Sequence, residues 1–379
     1  MISREIRVLV VDDTALYRTV LSDILAKIPD VEVVGTANNG RIALDKIDQL
    51  KPDLLTLDLE MPEMDGLATL RELQRLKLDV AVVMVSAHTS EGAAVTIKAL
   101  EGGAFDFITK PGSTSLEQNR ESLLRQLRPV IQNVSTRKLL RSPLSRAQAP
   151  SAPRQATSAR PAAAAMEAKK KSGISPAAQR PRIVSAAPGG RIAIVVIGVS
   201  TGGPNALAEV LPKLPRDFRV PVVIVQHMPP VFTKALADSL NQKSVLNVIE
   251  ARDEEQLQPG NVYLAPGAKQ MKVVKKAAGE FLQLTDDPPE NHCRPSVDYL
   301  FRSVASVYGN RALGVIMTGM GSDGVKGLQL MKQQGAQVIA QDQASCVVFG
   351  MPMEAIKAGV TDVVVPLAQI TLEITHRVN

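Results

Sequence analysis

Short apolar runs alternate with helical patterns in two separate series along the chain, and this alternation constrains the fold more than any other feature. In residues 1–140 the helical patterns lie near 14–27, 40–50, 66–77 and 90–101. The predicted strands between them are Arg7–Val11, Val31–Ala37, Leu54–Leu57, Ala81–Ser86 and Phe105–Ile108. Such βα units form a parallel sheet with helices on both faces. We therefore predict an α/β fold, with a five-stranded parallel, flavodoxin-like domain over residues 1–125.

The second series begins at residue 191. Its predicted strands are Ile192–Ile197, Val220–Val225, Val245–Ile249, Asn261–Leu264, a hairpin around Met271–Leu284, Ala312–Met317, Gln337–Ala340 and Asp362–Val365. We predict a second doubly wound α/β domain over residues 191–379, mostly parallel with one β-hairpin. In such sheets ligands bind beyond the carboxyl ends of the strands.

Residues 141–190 lie between the two series and are predicted to be a disordered linker. They are mostly Ala, Pro, Ser, Gly, Lys and Arg, with few large apolar side chains to offset the entropy of ordering. Nine basic residues against one acidic residue place the basic balance of the chain here. The last helix of the first domain is expected to begin near Leu116 and can reach residue 140, although Pro129 should kink or break it.

Composition excludes several classes of protein. Aromatic residues make up only 3% of the chain and the linker has none, so stacking platforms are scarce and no nucleic-acid partner is expected. No apolar run reaches about 18 residues, and Val8–Val11 is too short for a signal peptide, so we expect no membrane insertion. Cys293 and Cys346 suggest neither a disulfide framework nor a zinc motif. These features favour a cytoplasmic location.

Five polar residues follow the strands of the first series. Asp12 and Asp13 end the first strand, Asp58 the third and Ser86 the fourth, and Lys110 follows the fifth. Clustered carboxylates repel one another and need a cation, and an oxygen-rich site suits Mg²⁺. A phosphoryl group could then reach Asp58 in line, with Ser86 and Lys110 binding its oxygens.

In these residues the first 125 or so positions resemble a response-regulator receiver domain. The resemblance implies phosphorylation of Asp58 by a histidine kinase, with Mg²⁺ held by Asp13 and Asp58 and with Asp12 nearby. Phe107, three residues before Lys110, matches the aromatic switch position of that family. A phenylalanine there lacks a phenol, so its ring cannot hydrogen-bond.

A serine, a histidine and an aspartate follow three strands of the second series. Ser200 lies in the turn Gly198–Gly202, which fits the G-x-S-x-G pattern of a nucleophile elbow. His227 follows the next strand and has the pKa to act as a general base near neutral pH. Asp323 follows a later strand within a glycine-rich loop and would orient the imidazole. We expect the three side chains to meet in series, with backbone amides near Thr201 binding an oxyanion.

Three other interpretations are open at this point. An α/β-hydrolase order would pair Ser200 and Asp323 with His376 instead of His227. A Rossmann-type nucleotide binder would use Gly198, Gly202 and Gly203 as a phosphate turn, although their spacing differs from G-x-G-x-x-G. A receiver with a DNA-binding output would need a basic helix-turn-helix, which a near-neutral, strand-rich second half does not favour.

Four segments together resemble the catalytic domain of the chemotaxis protein-glutamate methylesterase (CheB) family. They are GVSTGGP at 198–204, QHMPP at 226–230, RPSVD at 294–298 and TGMGSDG at 318–324. The resemblance implies a phosphorylation-regulated esterase that needs no cofactor for hydrolysis and acts on methyl-accepting chemoreceptors, with glutamine deamidation as a second reaction. It implies the triad Ser200, His227 and Asp323, with Thr201 and Met320 supporting the oxyanion. The loop of His292 and Cys293 departs locally from the pattern.

Overall fold

The computed structural model describes residues 5–113, 115–141 and 191–379. Residues 142–190, which include nearly all of the expected linker, lie outside the described residues, so the disorder expected there stays a prediction. In the described ranges no helix combines the length and the apolar character needed to cross a membrane.

The first domain is built on a five-stranded parallel sheet with the strand order β2-β1-β3-β4-β5. Its strands are β1 Ile6–Val11, β2 Val31–Ala37, β3 Leu54–Asp58, β4 Ala81–Ser86 and β5 Asp106–Thr109. Its helices are α1 Ala15–Leu25, α2 Gly40–Leu50, α3 Gly66–Arg75, α4 Ser90–Glu101 and α5 Leu116–Arg141. The central strands β3 and β4 are buried along their whole length, because helices cover both faces of the sheet. The predicted fold of this domain is confirmed.

Helix α5 corrects the expectation for Pro129. The helix runs without a break for 26 residues and contains Pro129 in its interior. Proline removes one backbone hydrogen bond from a helix. Here the apolar stripe on both sides of the proline is buried in the core of the domain, which offsets that loss. The stripe consists of Leu123, Leu127, Val130, Ile131 and Val134.

The second domain contains a seven-stranded sheet, all parallel, with the order β14-β13-β12-β6-β7-β9-β8. Its strands are β6 Ile194–Val199, β7 Val222–Gln226, β8 Asn247–Glu250, β9 Asn261–Leu264, β12 Ala312–Ile316, β13 Gln337–Gln341 and β14 Val363–Val365. Strands β10 Gln270–Lys276 and β11 Gly279–Thr285 form the expected antiparallel hairpin. The helices are α6 Gly203–Val210, α7 Phe232–Lys243, α8 Val297–Tyr308, α9 Val325–Gln333, α10 Met351–Lys357 and α11 Leu367–Val378.

The chain order of the strands reverses beside β6. Strand β7 lies on one side of β6, and β12 lies on the other. A crevice for a ligand forms at such a switch point, outside the carboxyl ends of the strands. The residues that follow β6, β7 and β12 are therefore brought to one place by the topology.

The two domains pack directly against each other. Helix α4 of the first domain lies against helices α6 and α7 of the second. The Ser239 hydroxyl donates a hydrogen bond of 2.6 Å to Glu101, and Lys243 forms a 2.5 Å ion pair with the same carboxylate. Apolar residues of both domains form one continuous cluster across this contact. The first domain therefore rests against the edge of the second at a defined position.

Candidate active site

Ser200 stands at the end of β6 in a turn that needs its glycines. Gly202 has a φ of +79°, a conformation that residues with a side chain rarely adopt. A Cβ atom on Gly203 would lie 1.9 Å from the Gln226 side-chain oxygen. The chain can therefore turn sharply into helix α6 while its backbone passes close to β7.

His227 lies beside Ser200 on the same edge of the sheet. Its backbone N–H donates a 3.2 Å hydrogen bond to the carbonyl of Val199, which extends the pairing of β6 with β7 by one residue. Its Nε2 atom is 2.7 Å from Oδ2 of Asp323, which follows β12. The imidazole and the carboxylate expected from the sequence are thus in direct contact.

Asp323 is surrounded by hydrogen-bond donors. Besides His227 it accepts bonds from the Ser296 hydroxyl at 2.8 Å and the Asn291 side-chain amide at 2.8 Å. The backbone N–H groups of Val297 and Asp298, at the start of helix α8, add bonds of 2.7 and 3.1 Å. Burial by itself raises the pKa of Asp323, but His227 and these donors lower it to about 2. The carboxylate is therefore a permanent anion that can stabilise an imidazolium.

The second ring nitrogen of His227 faces a thiol. Nδ1 is 3.7 Å from Sγ of Cys293, whereas the Ser200 hydroxyl has no hydrogen-bond partner among the described residues. Burial lowers the pKa of His227, but bonds to Asp323 and Cys293 outweigh it and raise the pKa to about 9. The raised pKa makes this imidazole a stronger base than a free histidine. The hydroxyl, imidazole and carboxylate lie at one edge, but the bond from serine to histidine is not made.

Backbone amides near Ser200 are available for an oxyanion. The N–H groups of Thr201 and Met320 donate to no acceptor within the described part of the chain. The Thr201 side chain points the other way, and its hydroxyl donates a 2.8 Å hydrogen bond to Asp106 of the first domain. His376, the alternative base, lies near the end of helix α11, and Asp323 takes His227 as its imidazole partner instead.

A cavity of about 590 Å³ lies next to Ser200 and His227, and residues of both domains line it. Ser200, Thr201, His227 and Met320 line it from one side, and residues of β5 and α5 line it from the other. The Phe107 ring stacks on Phe232 with centroids 4.6 Å apart. Burial raises the pKa of Asp106 to about 6, even though Thr201 and the Phe107 N–H donate to it. The first domain thus covers the edge that carries Ser200.

Neither Asp106 nor Phe232 was expected from the sequence to be a site residue. Asp106 was visible only as a residue of the predicted fifth strand, and Phe232 belonged to none of the predicted elements. No sequence signal links either residue to the other domain. The loop residues Asn291 and Ser296 were missed for the same reason, although the SVD segment at 296–298 contains a helix-capping serine.

The polar edge of the first domain gathers three carboxylates and one lysine. Lys110 Nζ is 3.0 Å from Asp12 and 2.9 Å from Asp58. Burial raises the pKa of Asp58 to about 6, against the opposing effect of Lys110. Carboxylate oxygens of Asp12, Asp13 and Asp58 lie within 4.8 Å of one another, which is close enough for one cation.

Ser86 lies deeper than Lys110. Its hydroxyl donates to the Ala87 carbonyl at 3.1 Å and accepts a 2.8 Å bond from Thr96. The cavity of about 240 Å³ next to Asp58 is lined by Lys110 and Asp13 but not by Ser86. The structure therefore brings Lys110 to the aspartates and leaves Ser86 bonded elsewhere.

His227, Cys293 and Asp323 also lie within 4.8 Å of one another and include metal-binding side chains. Asp323 already accepts bonds from five partners, and one of them is the His227 nitrogen that faces it. A metal ion would have to break these bonds. The cluster is therefore better described as a hydrogen-bonded relay than as a metal centre.

The fold and the site define a response regulator whose second domain is a parallel α/β domain with a serine, a histidine and an aspartate gathered at one edge of its sheet. Residues 195–374 match the family model described as CheB methylesterase, and residues 8–119 match the response regulator receiver domain. The chain belongs to the CheB methylesterase family, with the receiver domain that precedes the catalytic domain.

Two curated relatives that match this chain over nearly their full length show the same family. The chain is 47% identical over 382 residues to the protein-glutamate methylesterase/protein-glutamine glutaminase of Desulfotalea psychrophila, covering 99% of both chains. It is 44% identical to the Bacillus subtilis protein of the same name, again covering 99% of both. The solved catalytic domain of Thermotoga maritima CheB methylesterase is 44% identical, with a TM-score of 0.48, and the match covers 49% of this chain and 98% of that one.

Proposed function

We propose that this chain hydrolyses γ-glutamyl methyl esters on methyl-accepting chemoreceptors and deamidates glutamine at the same site. The observation that carries the proposal is the 2.7 Å contact of His227 with Asp323, directly beside Ser200 at the switch point of the sheet. The curated relatives named above carry both activities in their names. The proposal includes a cytoplasmic location.

Ser200 is the nucleophile in the proposed reaction. Because Asp323 holds Nε2 of His227, the nitrogen that takes the serine proton is Nδ1. The hydroxyl oxygen attacks the ester carbonyl, and the oxyanion is stabilised by the N–H groups of Thr201 and Met320. The imidazolium, paired with Asp323, gives the proton to the departing methoxide oxygen, which leaves as methanol, or to the amide nitrogen of glutamine, which leaves as ammonia. Water then releases glutamate from the acyl-enzyme by the same base.

The receiver domain controls access to Ser200 in this proposal. Asp106 of β5 accepts a hydrogen bond from Thr201, and Phe107 of the same strand stacks on Phe232. Lys110 lies three residues after Phe107. A phosphoryl group on Asp58 would draw Lys110 towards its oxygens and shift β5, which weakens both contacts. Phosphorylation then moves the population towards an uncovered catalytic edge, with Phe107 acting as a packing switch.

Phosphorylation of Asp58 by a histidine kinase is expected to use Mg²⁺. The donor set fits, because Asp12, Asp13 and Asp58 offer closely spaced hard oxygen atoms. When bound, the cation would neutralise charge on the incoming phosphoryl group. Asp58 supplies the attacking oxygen, and Lys110 binds the phosphoryl oxygens, with Ser86 joining if its hydroxyl rotates from Ala87. Ester hydrolysis itself needs no cofactor in this scheme.

Methanol release tests the proposal. The full chain is incubated with Mg²⁺, a small acyl phosphate as phosphodonor, and methylated receptor helices. We expect methanol release that Ser200→Ala lowers by roughly 10⁴-fold or more. Ser306→Ala is the matched control, because Ser306 is an exposed serine of helix α8. Undiminished release by the Ser200 variant would overturn the assignment of the nucleophile.

A further inference from the structure

We propose that Cys293 is a reactive thiol and a modification site. In this proposal His227 takes the thiol proton, and a soft electrophile such as a peroxide then modifies the sulfur atom. Three features of the molecule favour this role: the turn that holds Cys293, its contact with His227, and the different surroundings of Cys346.

A tight turn fixes the position of Cys293. Glu290 and Cys293 exchange two backbone hydrogen bonds, of 3.1 and 2.8 Å. The two residues between them, Asn291 and His292, have φ values of 50° and 63°, as the central residues of a type I′ turn do. The Asn291 side chain anchors the turn to Asp323 and Asp298. The sulfur atom is thus held against the imidazole by backbone bonds and by a side-chain anchor.

Cys293, His227 and Asp323 form a proton relay. Sγ lies 3.7 Å from Nδ1, and Nε2 lies 2.7 Å from Asp323. Transfer of the thiol proton to Nδ1 leaves a thiolate next to an imidazolium, and the permanent anion of Asp323 stabilises the imidazolium. This is the arrangement that activates cysteine nucleophiles beside a histidine.

The reaction with a peroxide is balanced by these groups. The thiolate attacks one peroxide oxygen, a sulfur–oxygen bond forms, and the oxygen–oxygen bond breaks. The leaving hydroxide takes a proton from His227 and becomes water. Sulfur is oxidised to a sulfenic acid and the peroxide is reduced, which is the first step of cysteine oxidation.

The position of Cys293 gives the modification a consequence. The half-buried thiol lines the same cavity as Ser200, so small reagents that enter the cavity meet both groups. An added oxygen or alkyl group on Sγ would occupy the space beside Nδ1, the nitrogen that Ser200 needs. We therefore expect modified protein to lose esterase activity, and this part of the inference rests on the proposed function.

Cys346 provides an internal control. Burial, together with Asp342, raises the pKa of its thiol to about 12. The side chains that act on this thiol are Asp342 and Thr318, and neither is an imidazole. Cys293 and Cys346 are the only cysteines of the chain. A difference in reactivity between the two thiols within one molecule therefore reports the local environment and not the reagent.

Alkylation rates test the relay without reference to esterase activity. Full-length protein in EDTA at pH 7 is treated with iodoacetamide, and both cysteines are quantified by mass spectrometry. We expect Cys293 to react at least about tenfold faster than Cys346, and His227→Gln to slow Cys293 about fivefold or more. Slow labelling of Cys346 in the variant verifies that it is folded. An unchanged Cys293 rate in folded His227→Gln protein would overturn the proposal.

Peroxide treatment tests the consequence. Each protein's methanol release is compared with its own untreated rate, and sulfenic acid on Cys293 is trapped with a 1,3-dione. We expect the natural chain to lose most of its activity and Cys293→Ser to keep its own. Equal losses in both proteins would refute inactivation through Cys293. If untreated protein releases no methanol at all, the esterase proposal fails, and the alkylation rates still decide whether the thiol is reactive.

Discussion

Two carboxylates are buried at the carboxyl edges of the two sheets, and their electrostatics are opposite. Asp58 is the last residue of β3 at the edge of the receiver domain (the receiver edge), and Asp323 lies in the loop after β12 beside Ser200 and His227 (the proposed catalytic edge). Asp58 pairs with Lys110, but burial and the nearby Asp12 carboxylate keep its pKa raised to about 6. Asp323 has five hydrogen-bond partners in the described part of the chain, and among them His227 and the N–H groups of Val297 and Asp298 lower its pKa to about 2. The neighbours of each carboxylate, and not burial alone, therefore decide the direction of its pKa shift.

This difference matches the role proposed for each edge. A carboxylate that is incompletely neutralised attracts a cation and can then offer an oxygen to a phosphoryl group. A carboxylate saturated with donors does not move, and it serves as a fixed counter-charge for an imidazolium. A position near the end of a strand therefore marks a residue as a functional candidate. The loops packed around that residue set its pKa and decide which role it can play.

The largest expected effect comes from removing the fixed anion. Asp323→Asn should lower methanol release by roughly 10³–10⁴-fold, because an amide cannot accept all five bonds or stabilise the imidazolium. Steady-state kinetics on the phosphorylated full chain measures the loss. Asp217→Asn, at an exposed aspartate, is the matched control. If methanol release fell by less than about tenfold in Asp323→Asn, Asp323 would not be the fixed counter-charge that distinguishes it from Asp58.

An intermediate effect is expected for Mg²⁺ binding at the receiver edge. The pKa of Asp58 lies above its ordinary value, so the folded chain holds the proton below about pH 6 and releases it above. Only the ionised form binds a cation, so affinity should fall about tenfold from pH 7 to pH 5.

Calorimetric titration with Mg²⁺ at the two pH values measures this change, with Asp58→Asn as the control that should bind weakly at both. Because the pKa of Asp58 is higher in the folded chain than in the unfolded chain, the Asp58 carboxyl stabilises the folded state most below about pH 4. This contribution to the free energy of unfolding is lost as the pH rises towards 6. Equal Mg²⁺ affinity at pH 5 and pH 7 would show that Asp58 is not held neutral by burial.

The smallest expected effect concerns the contact that joins the two edges. Phe107→Ala removes the ring stacked on Phe232 and should raise the activity of unphosphorylated protein on the order of fivefold, since an aromatic pair contributes about 1 kcal/mol. Leu116→Ala, at a residue that is 68% exposed at the start of α5, is the control. Unaltered basal activity in the Phe107 variant would show that this contact does not hold the catalytic edge covered.

Polar residues that stand at or directly after a strand were easier to locate from the sequence than residues in loops. Ser200, His227, Asp58 and Lys110 are in this position, because an apolar strand brings each of them to the carboxyl edge of its sheet. Asn291 and Cys293 lie in a loop whose turn has no apolar periodicity. The contact between Asp106 and Thr201 joins residues 95 positions apart, and no local pattern signals it.

The amino-acid sequence by itself determined two parallel sheets and the residues that stand at their carboxyl ends. It could do so because apolar runs are buried in any compact fold and therefore mark the strands. Parallel strands all end at the same edge of a sheet, so the polar residues that follow them lie together. Only the tertiary structure decided that Nε2 of His227 pairs with Asp323, that Nδ1 faces Cys293, and that β5 of the receiver covers Ser200. Hydrogen bonds depend on tenths of an ångström between distant segments, and those separations exist only once the chain has folded.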